Sequence, residues 1–479
     1  MVFTSFNFLI FFPAVLVVYF LLPQKFRWVF LLVASYYFYL NTKPVYALLL
    51  AGVTLTTYFF ALQIQKAKSE KKKRQLLIID VVITLLPLFF FKYFNFVNEG
   101  IFTLLNYAGL GLALPQISFL LPVGISFYTF MALGYVIDVY NEDIDAEENF
   151  GIVALFLSFF PVVMSGPIER ASNMFPQFKS KIQFNSGMVV SGLQLMLWGY
   201  FMKLAVADRL SIYIDAVFNN VDQHVGSSLL LASLMQPIRV YGDLGGYSLI
   251  AIGCAKVMGF NVIPNFNRPF FATTMSEFWR RWHMSLIQWL TDYVYTPLAF
   301  TFRKWGVWGI ALALNLTFII SGAWHGAALN YLVWGAIQGI ALSVEMLTRS
   351  KKDAFEERFN LKTRWWYIMI GCVLTYLLFA FSLSFGGTAD TVPEVFHIFG
   401  RILTDSLHWP YKDGDTMLYG FIAFSILFIK DFMEEYYPGR IRLFGNENIT
   451  VRWLSYYCVI FLIFYLGIFS GENFVYFQF

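Results

Sequence analysis

Two segments of this chain combine histidine with other polar side chains in strongly apolar surroundings. The first, residues 277–292, reads EFWRRWHMSLIQWLTD. If it forms one helix, Arg281, Ser285, Gln288 and Asp292 share a polar stripe, because they lie at helical spacing. Such a helix cannot face lipid on all sides, so it is expected to be re-entrant or to pack around a watery cavity. The alternative is an interfacial helix in which Arg280 and Arg281 reach the headgroups.

The second segment, residues 321–339, reads SGAWHGAALNYLVWGAIQG. Its histidine, His325, is flanked by Gly322 and Gly326, which would let another backbone or a ligand come close. The preceding apolar run, Trp305–Ile320, is shorter than a full membrane span and is expected to deliver His325 to mid-depth. A neutral imidazole at that depth could act as a general base without the cost of a permanent buried charge.

Other polar side chains in apolar surroundings are further candidates. Asp243 is an intramembrane carboxylate in the run YGDLGGYS, residues 241–248, whose glycines are expected to break the helix into an unwound, cavity-lining segment. The alternative there is a loop at the membrane interface. A polar-aromatic face is predicted from the spacing of Asn330, Trp334 and Gln338. The candidates for binding the substrate or lining the cavity are Trp279, Arg280, Arg281, Ser285, Asp292, Ser321, Trp324, Asn330, Asp243 and Tyr247.

The elements that must position these residues are membrane helices. Of the 479 residues 58% are hydrophobic and only 13% are charged, and apolar runs extend along nearly the whole chain. A soluble surface cannot be built from this composition, which excludes a cytosolic enzyme, a disordered protein and a nucleic-acid binder. A span needs about 20 apolar residues. The runs predict an all-α polytopic membrane protein with about ten to twelve transmembrane helices, plus re-entrant and amphipathic segments around a central cavity.

The distribution of charges and cysteines refines this picture. Lys66–Arg74 forms the densest basic loop, which the positive-inside rule assigns to the cytoplasm together with Lys25–Arg27, leaving the N-terminus outside. The mixed loop Arg349–Arg358 is also expected to be cytoplasmic. The three cysteines lie at unrelated spacings, so neither a disulfide framework nor a metal site is expected. No soluble domain interrupts the chain, which predicts one integral-membrane domain over 1–479, with N-terminal helices in 1–115, a core in 116–350 and C-terminal helices in 351–479.

The two histidine segments, here taken as 277–297 and 321–339, closely resemble the signature segments of the membrane-bound O-acyltransferase family in its bacterial branch. That branch includes alginate and peptidoglycan O-acetyltransferases and the D-alanyl transferase of teichoic acids. The resemblance covers nearly the whole chain and is greatest to the alginate O-acetyltransferase type. The sequence departs from the usual pattern at Met131, Leu249 and Thr291, where glutamine, an acidic residue and arginine are common. These departures bear on the acceptor and on a partner protein.

The resemblance implies a function and a location. It implies an enzyme, an O-acyltransferase that moves an acyl group, acetyl above all, from a cytoplasmic thioester across the membrane to an extracytoplasmic polysaccharide. A periplasmic esterase-like partner protein could instead receive the group first. The family's catalytic histidine maps to His325, and the histidine near its reaction centre maps to His283. No permanently bound cofactor is implied, because acetyl-CoA or another acyl thioester is a substrate. The location implied is the bacterial inner membrane, which the chain crosses many times.

A mechanism joins both lines of reasoning. His325 would deprotonate the attacking hydroxyl, and the second histidine, Trp279 or Ser321 would hold the thioester carbonyl as negative charge develops. Arg280 or Arg281 could contact phosphates of the donor. The alternatives are D-alanyl transfer to teichoic acid, a transporter or lipid flippase, and a scaffold that recruits periplasmic enzymes.

Overall fold

The protein is helical throughout the part of the chain that can be described. The computed structural model describes residues 1–469 except 42, 108, 110–120, 390, 406–413 and 440–443. The chain is 79% helical, and its described residues form no strand, which confirms the predicted all-α class. They pack as two compact units. Unit 1 comprises Met1–Met196 with Ile250–Ile263, and unit 2 comprises Leu197–Leu249 with Pro264–Phe479. The predicted boundary between 115 and 116 lies outside the described residues.

Unit 1 consists of helices from the first half of the chain. Its complete helices are α1 (Phe6–Leu21), α2 (Gln24–Leu40), α3 (Pro44–Lys66), α4 (Glu70–Tyr107), α5 (Ile125–Tyr140), α6 (Phe150–Ser158) and α7 (Ala171–Lys179). Two further helices, α8 (Ser186–Tyr200) and α11 (Gly246–Val257), belong partly to each unit.

Unit 2 holds the remaining helices and both histidine segments. The α-helices are α9 (Asp208–Phe218), α10 (Gly226–Val240), α12 (Met275–Arg281), α13 (Met284–Leu290), α14 (Thr296–Thr301), α15 (Val307–His325), α16 (Leu329–Arg358), α17 (Trp365–Leu383), α18 (Val392–Thr404), α19 (Gly414–Tyr436) and α20 (Ile449–Leu466). Three π-helical segments continue the α-helices beside them, over Phe201–Ala207, Tyr241–Gly245 and Thr291–Tyr295.

Several helices are long and apolar enough to cross a membrane. Among the described residues there are eight: Pro44–Lys66, Glu70–Tyr107, Ser186–Phe218, Val307–His325, Leu329–Arg358, Trp365–Leu383, Thr416–Tyr436 and Ile449–Leu466. Two shorter apolar helices, α1 and α5, have 16 residues each. The protein is therefore a multi-pass membrane protein, and the eight long and two short helices agree with the lower end of the predicted range.

The two basic loops of unit 1 meet at one face. A chain of contacts connects them through the segments after α5 and α7: Arg27 with Ile182, Lys179 with Glu147, Ala146 with Gln65, and Glu142 with Lys73. The two basic loops therefore lie on the same side of unit 1, as their common assignment to the cytoplasm requires.

The helix pair α15 and α16 forms a tight hairpin that carries the second histidine segment. A Cβ on Gly322 would lie 2.2 Å from the carbonyl oxygen of Tyr331. A Cβ on Gly335 would lie 2.2 Å from the carbonyl oxygen of Phe318. Only glycine permits this approach of the two backbones. The small residues beside His325 therefore admit the neighbouring helix.

His325 was expected at mid-depth because the helix that precedes it was predicted to be short. That helix, α15, is longer than predicted. The helix does not end at Ile320 but runs over Val307–His325, 19 residues. At 1.5 Å per residue it extends about 28 Å, close to the full hydrocarbon thickness. Packing of the glycine-rich end against α16 explains why the helix continues through the polar residues.

Candidate active site

A cavity inside unit 2 adjoins His325. Its lining residues are Gln236, Val240, Trp282, His325, Trp334, Phe379, Leu383 and Gly386, which come from α10, α15, α16, α17 and the segments that follow α12 and α17. The cavity has a volume of about 30 Å³. Since one water molecule needs about 10–15 Å³ of such space, the cavity has room for about two. Its walls are mostly apolar, with His325 and Gln236 as polar side chains and two tryptophan indoles.

Two indole rings hold the imidazole of His325. The ring centroid of His325 lies 4.6 Å from that of Trp324 and 4.9 Å from that of Trp334, with interplanar angles of 70° and 86°. These edge-on contacts restrict rotation of the imidazole. His325 is half-buried and is the last residue of α15. The negative end of the helix dipole therefore favours an imidazolium formed there by about 0.3–1 kcal/mol.

Two buried polar atoms in the cavity wall are unsatisfied. Neither the Trp334 Nε1–H nor the Gln236 Oε1 has a hydrogen-bond partner among the described residues, although both side chains are buried. Leaving such groups unpaired costs about 1–3 kcal/mol each. By contrast, the neighbouring indole of Trp279 donates to Gln338 Oε1 at 3.3 Å. Neither of the two unsatisfied atoms is accessible to a water-sized group, so Trp334 and Gln236 line the cavity through their other atoms.

His283 interrupts the first histidine segment instead of lying on a continuous helix. It has a left-handed backbone (φ 45°) between α12 and α13. Asn265 fixes this break: its Oδ1 accepts from the Ser285 hydroxyl at 2.9 Å, and its carbonyl accepts from the Met284 amide at 2.8 Å. The predicted stripe through Arg281, Ser285 and Asp292 is therefore wrong, because the helix axis changes at His283.

The imidazole of His283 lies in a closed polar network. Its Nδ1 is 3.1 Å from Asn265 Oδ1, and Asn265 also donates to Ser248 at 3.0 Å. Because an amide oxygen can only accept, Nδ1 is the donor. Burial lowers the pKa of His283 to about 3, so the ring is neutral. Trp324 contacts both histidines, with its ring centroid 6.2 Å from that of His283. His283 does not line the cavity, and its direct role in the reaction stays a prediction.

The predicted donor-binding arginines differ in their surroundings. Arg281 is paired with Glu277 at 2.6 Å and with Glu435 at 2.9 Å, and Glu435 also binds Arg268 at 2.9 Å. A phosphate could contact Arg281 only by displacing these carboxylates. Arg280, in contrast, is exposed. Arg281 therefore holds α12 against α19.

Asp243 lies in an ion pair and not in an unwound segment. The run 241–248 stays helical. Its glycines allow close packing against the helix that contains Gly199: a Cβ on Gly246 would lie only 2.8 Å from the Gly199 carbonyl oxygen. Lys203 binds Asp243 at 2.5 Å and Asp208 at 2.7 Å. The expected helix break is wrong, and the buried carboxylate of Asp243 shares the Lys203 ammonium with Asp208.

The other predicted residues are not in the wall of the cavity. Tyr247 contacts the Lys203 ammonium at 5.4 Å, Ser321 is buried, and Asp292 is exposed. Asn330 is buried and donates to the Ala389 carbonyl at 2.6 Å. Among the twelve predicted site residues, His325 alone is in the cavity lining.

Sequence reasoning missed most of the lining. Gln236, Val240, Phe379, Leu383 and Gly386 come from α10 and from the α17 region, far from either histidine in the chain. Gln236 carried a signal, since it is a polar residue beside a proline within an apolar helix. The aliphatic and phenyl side chains of the lining gave no such signal in the sequence.

Comparisons with known proteins identify the family of this chain. The model of the MBOAT, membrane-bound O-acyltransferase family matches residues 149–385, which include both histidine segments. The chain is 35% identical over 382 residues to a probable alginate O-acetylase, AlgI, of Pseudomonas putida, covering 79% of this chain and 77% of the relative. It is 32% identical over 342 residues to a peptidoglycan O-acetyltransferase of Helicobacter pylori, covering 66% and 63%. It is 25% identical over 323 residues to a teichoic acid D-alanyltransferase of Bacillus subtilis, covering 63% and 75%.

The similarity to AlgI extends over most of both chains, and the region matched by the family model contains His325 and all of the cavity lining except Gly386. This chain therefore belongs to the membrane-bound O-acyltransferase family. It is a multi-pass membrane enzyme that transfers acyl groups to hydroxyl oxygen.

Proposed function

We propose that this protein transfers an acetyl group from a thioester donor to a hydroxyl of an extracytoplasmic polysaccharide, directly or through a partner protein that then acylates the polymer. The observation that carries the proposal is the position of His325, half-buried and held between two indoles in the wall of a small cavity. A base in this position can reach an acyl group within the cavity.

The reaction needs one base and no resident cofactor. The acceptor oxygen attacks the thioester carbonyl carbon while His325 takes the hydroxyl proton. The carbonyl electron pair moves to oxygen, which gives a tetrahedral oxyanion. When the pair returns, the C–S bond breaks, and the leaving thiolate receives the proton from the His325 imidazolium. The helix dipole at the end of α15 stabilises this imidazolium between the two proton transfers.

The size of the cavity supports acetyl over D-alanyl transfer. About 30 Å³ accepts a group of two or three heavy atoms, such as acetyl. D-alanyl has about two more heavy atoms than acetyl, one of them in a charged ammonium, and the lining offers no carboxylate to that charge. The relatives support the same choice, because proteins named for O-acetylation align at higher identity than those named for D-alanyl transfer.

The hairpin supports an arrangement of the two substrates across the membrane. Basic residues lie at the same end of both helices, Arg303 and Lys304 before α15 and Arg349–Arg358 at the end of α16. In the proposed bacterial inner membrane this end faces the cytoplasm, in accord with the positive-inside rule. His325 is at the opposite end of α15, toward the acceptor. The thioester, acetyl-CoA or an acetylated carrier, then approaches from the cytoplasm. The basic loops at Lys25–Arg27 and Lys66–Arg74 place the N-terminus outside the cytoplasm in the same proposal.

The experiment that tests the function compares surface glycans from cells with the gene, without it, and with it restored. Mass analysis should show acetyl increments that disappear on deletion and return with the wild-type gene. Ester-linked D-alanine, released by mild base, should not change. Loss of D-alanine with acetyl retained would replace acetyl transfer by D-alanyl transfer. No change in either group would refute the proposal.

A further inference from the structure

We infer that the side chain of Leu383 sets the largest acyl group that this enzyme transfers. This inference rests on the proposed function, because it assigns selectivity for acyl size to the cavity beside His325. A closely packed wall selects by size, since it leaves no room for an additional methylene group. The enzyme then accepts acetyl and rejects propionyl and longer acyl groups.

The turn that follows α17 holds Leu383 in the cavity wall. The Leu383 carbonyl accepts hydrogen bonds from the Gly386 amide at 2.9 Å and from the Thr388 hydroxyl at 3.3 Å. This turn brings Leu383 and Gly386 together, and both line the cavity. Because Leu383 is only 6% exposed, its neighbours hold the side chain in place.

Leu383 and the Trp334 indole flank one gap in the lining. A Cβ on Gly386 would lie 3.3 Å from Leu383 Cδ1 and 3.2 Å from Trp334 Cδ1, so the gap exists because residue 386 has no side chain. The Trp334 ring centroid is in turn 4.9 Å from that of His325. An acetyl group with its carbonyl carbon beside the imidazole has its methyl group toward this gap. Each further carbon of a longer chain would then meet Leu383.

The aromatic walls of the cavity are less suited to set this limit. The rings of Trp282 and Phe379 have centroids 4.9 Å apart, and both also contact Phe278, at 5.3 Å and 4.4 Å. These rings belong to a shared cluster, so a change in one would disturb the others. Leu383 is the larger of the two aliphatic side chains in the lining, the other being Val240. It can be shortened without removing a ring from the cluster.

The expected selectivity follows from the size of the cavity. About 30 Å³ accepts two or three heavy atoms, and propionyl has one methylene group more than acetyl. One methylene group in a hydrophobic pocket changes kcat/KM by about 10–200-fold. The wild-type enzyme should therefore prefer acetyl over propionyl by at least about tenfold. Leu383→Ala removes most of the side chain from the wall and should reduce this preference by about tenfold or more.

The test is a competition between isotopically labelled acetyl-CoA and propionyl-CoA in membranes from host cells, which retain any partner protein. The cells carry the wild-type gene or a variant, and both donors are supplied in equal amounts. Mass analysis of the glycan gives the ratio of the two labelled esters, which reports relative kcat/KM and does not depend on the amount of protein. The matched control is Leu342→Ala. Leu342 is equally buried, at 6% exposed, but lies outside the lining, so the wild-type ratio should be kept.

The outcomes separate this inference from the proposed function. If the wild type transfers acetyl and Leu383→Ala keeps the wild-type ratio within about threefold, the inference is refuted and the function stands. A shift as large in Leu342→Ala would show a general loosening of the core and would also refute the inference. If the wild type transfers no acetyl, the proposed function fails, and the inference fails with it.

Gly386→Ala provides a second test, which serves also if Leu383→Ala does not fold. Its methyl group would occupy the gap between Leu383 and Trp334, at 3.3 Å and 3.2 Å from their nearest atoms. Acetyl transfer per amount of protein should then fall at least about tenfold, because the narrowed cavity no longer holds acetyl in the reactive position. An unchanged rate would show that the acyl group does not lie beside Leu383 and would overturn the inference.

Discussion

The glycine contacts between α15 and α16 allow a prediction about how precisely His325 must be placed. In Gly322→Ala the new methyl carbon would lie 2.2 Å from the Tyr331 carbonyl oxygen and 3.2 Å from the Gly335 nitrogen. Real Cβ contacts are essentially never shorter than 3.0 Å. The atom opposite is backbone and not a flexible side chain, so the helices must separate.

The size of the effect follows from this separation. The end of α15 must move by roughly 1 Å, and His325 lies one turn further along the same helix. A displacement of 1 Å in a catalytic group can cost about 10²-fold in rate. Overpacking of this kind also destabilises a protein by about 1–3 kcal/mol. We therefore expect Gly322→Ala to fold, with kcat for acetyl transfer reduced about 10²-fold.

The assay is the initial rate of labelled acetyl transfer in proteoliposomes at saturating donor, with protein amount and thermal unfolding in detergent measured on the same preparation. Gly52→Ala is the control, because a Cβ at this α3 glycine meets no atom within 4 Å. It should match the wild type in rate. A wild-type rate for Gly322→Ala as well would show that the close hairpin does not position His325, and the reasoning would be wrong.

Two further predictions concern the groups that support the site. Lys203→Met leaves Asp208 and Asp243 buried without their cation and should destabilise the protein by about 3–5 kcal/mol. Unfolding in detergent measures this, and wild-type stability would contradict the role given to the ion pairs. Asn265→Leu removes the acceptor of the Ser285 amide and hydroxyl and should accelerate amide exchange at Ser285. Unchanged exchange, measured by mass spectrometry, would mean that Asn265 does not fix the break at His283.

The sequence was sufficient to predict which residues share a helix face when their spacing is regular. The four-residue interval correctly placed Asn330, Trp334 and Gln338 on one face of α16. Their roles could not be read from that interval: Asn330 binds the Ala389 carbonyl, Gln338 holds two neighbours, and Trp334 lines the cavity. Which residue of a polar face meets a cavity depends on packing partners from other helices.

The errors arose where a distant residue decides the local backbone. His283 adopts its left-handed conformation because Asn265, eighteen residues earlier, binds the His283 imidazole and accepts a hydrogen bond from the backbone amide of Met284. The glycines around Asp243 were expected to break a helix, yet they let it pack against the segment that carries Lys203. Helix propensity alone favours a break at such glycines, and tertiary packing overrides it.

The cavity itself lay beyond sequence reasoning for a related reason. Gln236 and Phe379 are separated by more than a hundred residues and lie on different helices, α10 and α17. Only the folded unit brings them to His325. The family signature therefore singled out His325, while the other walls of the cavity had to come from the structure.

The most direct test of the central claim is the rate of acetyl transfer by His325→Ala in the same proteoliposomes. A matched control is His397→Ala, which removes an exposed imidazole that binds Asp222 on the surface of unit 2. We expect His325→Ala to insert and unfold like the wild type and to lose about 10²–10⁴-fold in kcat, while the control keeps its rate. Transfer by His325→Ala at the wild-type rate would show that the imidazole in the cavity is not the base.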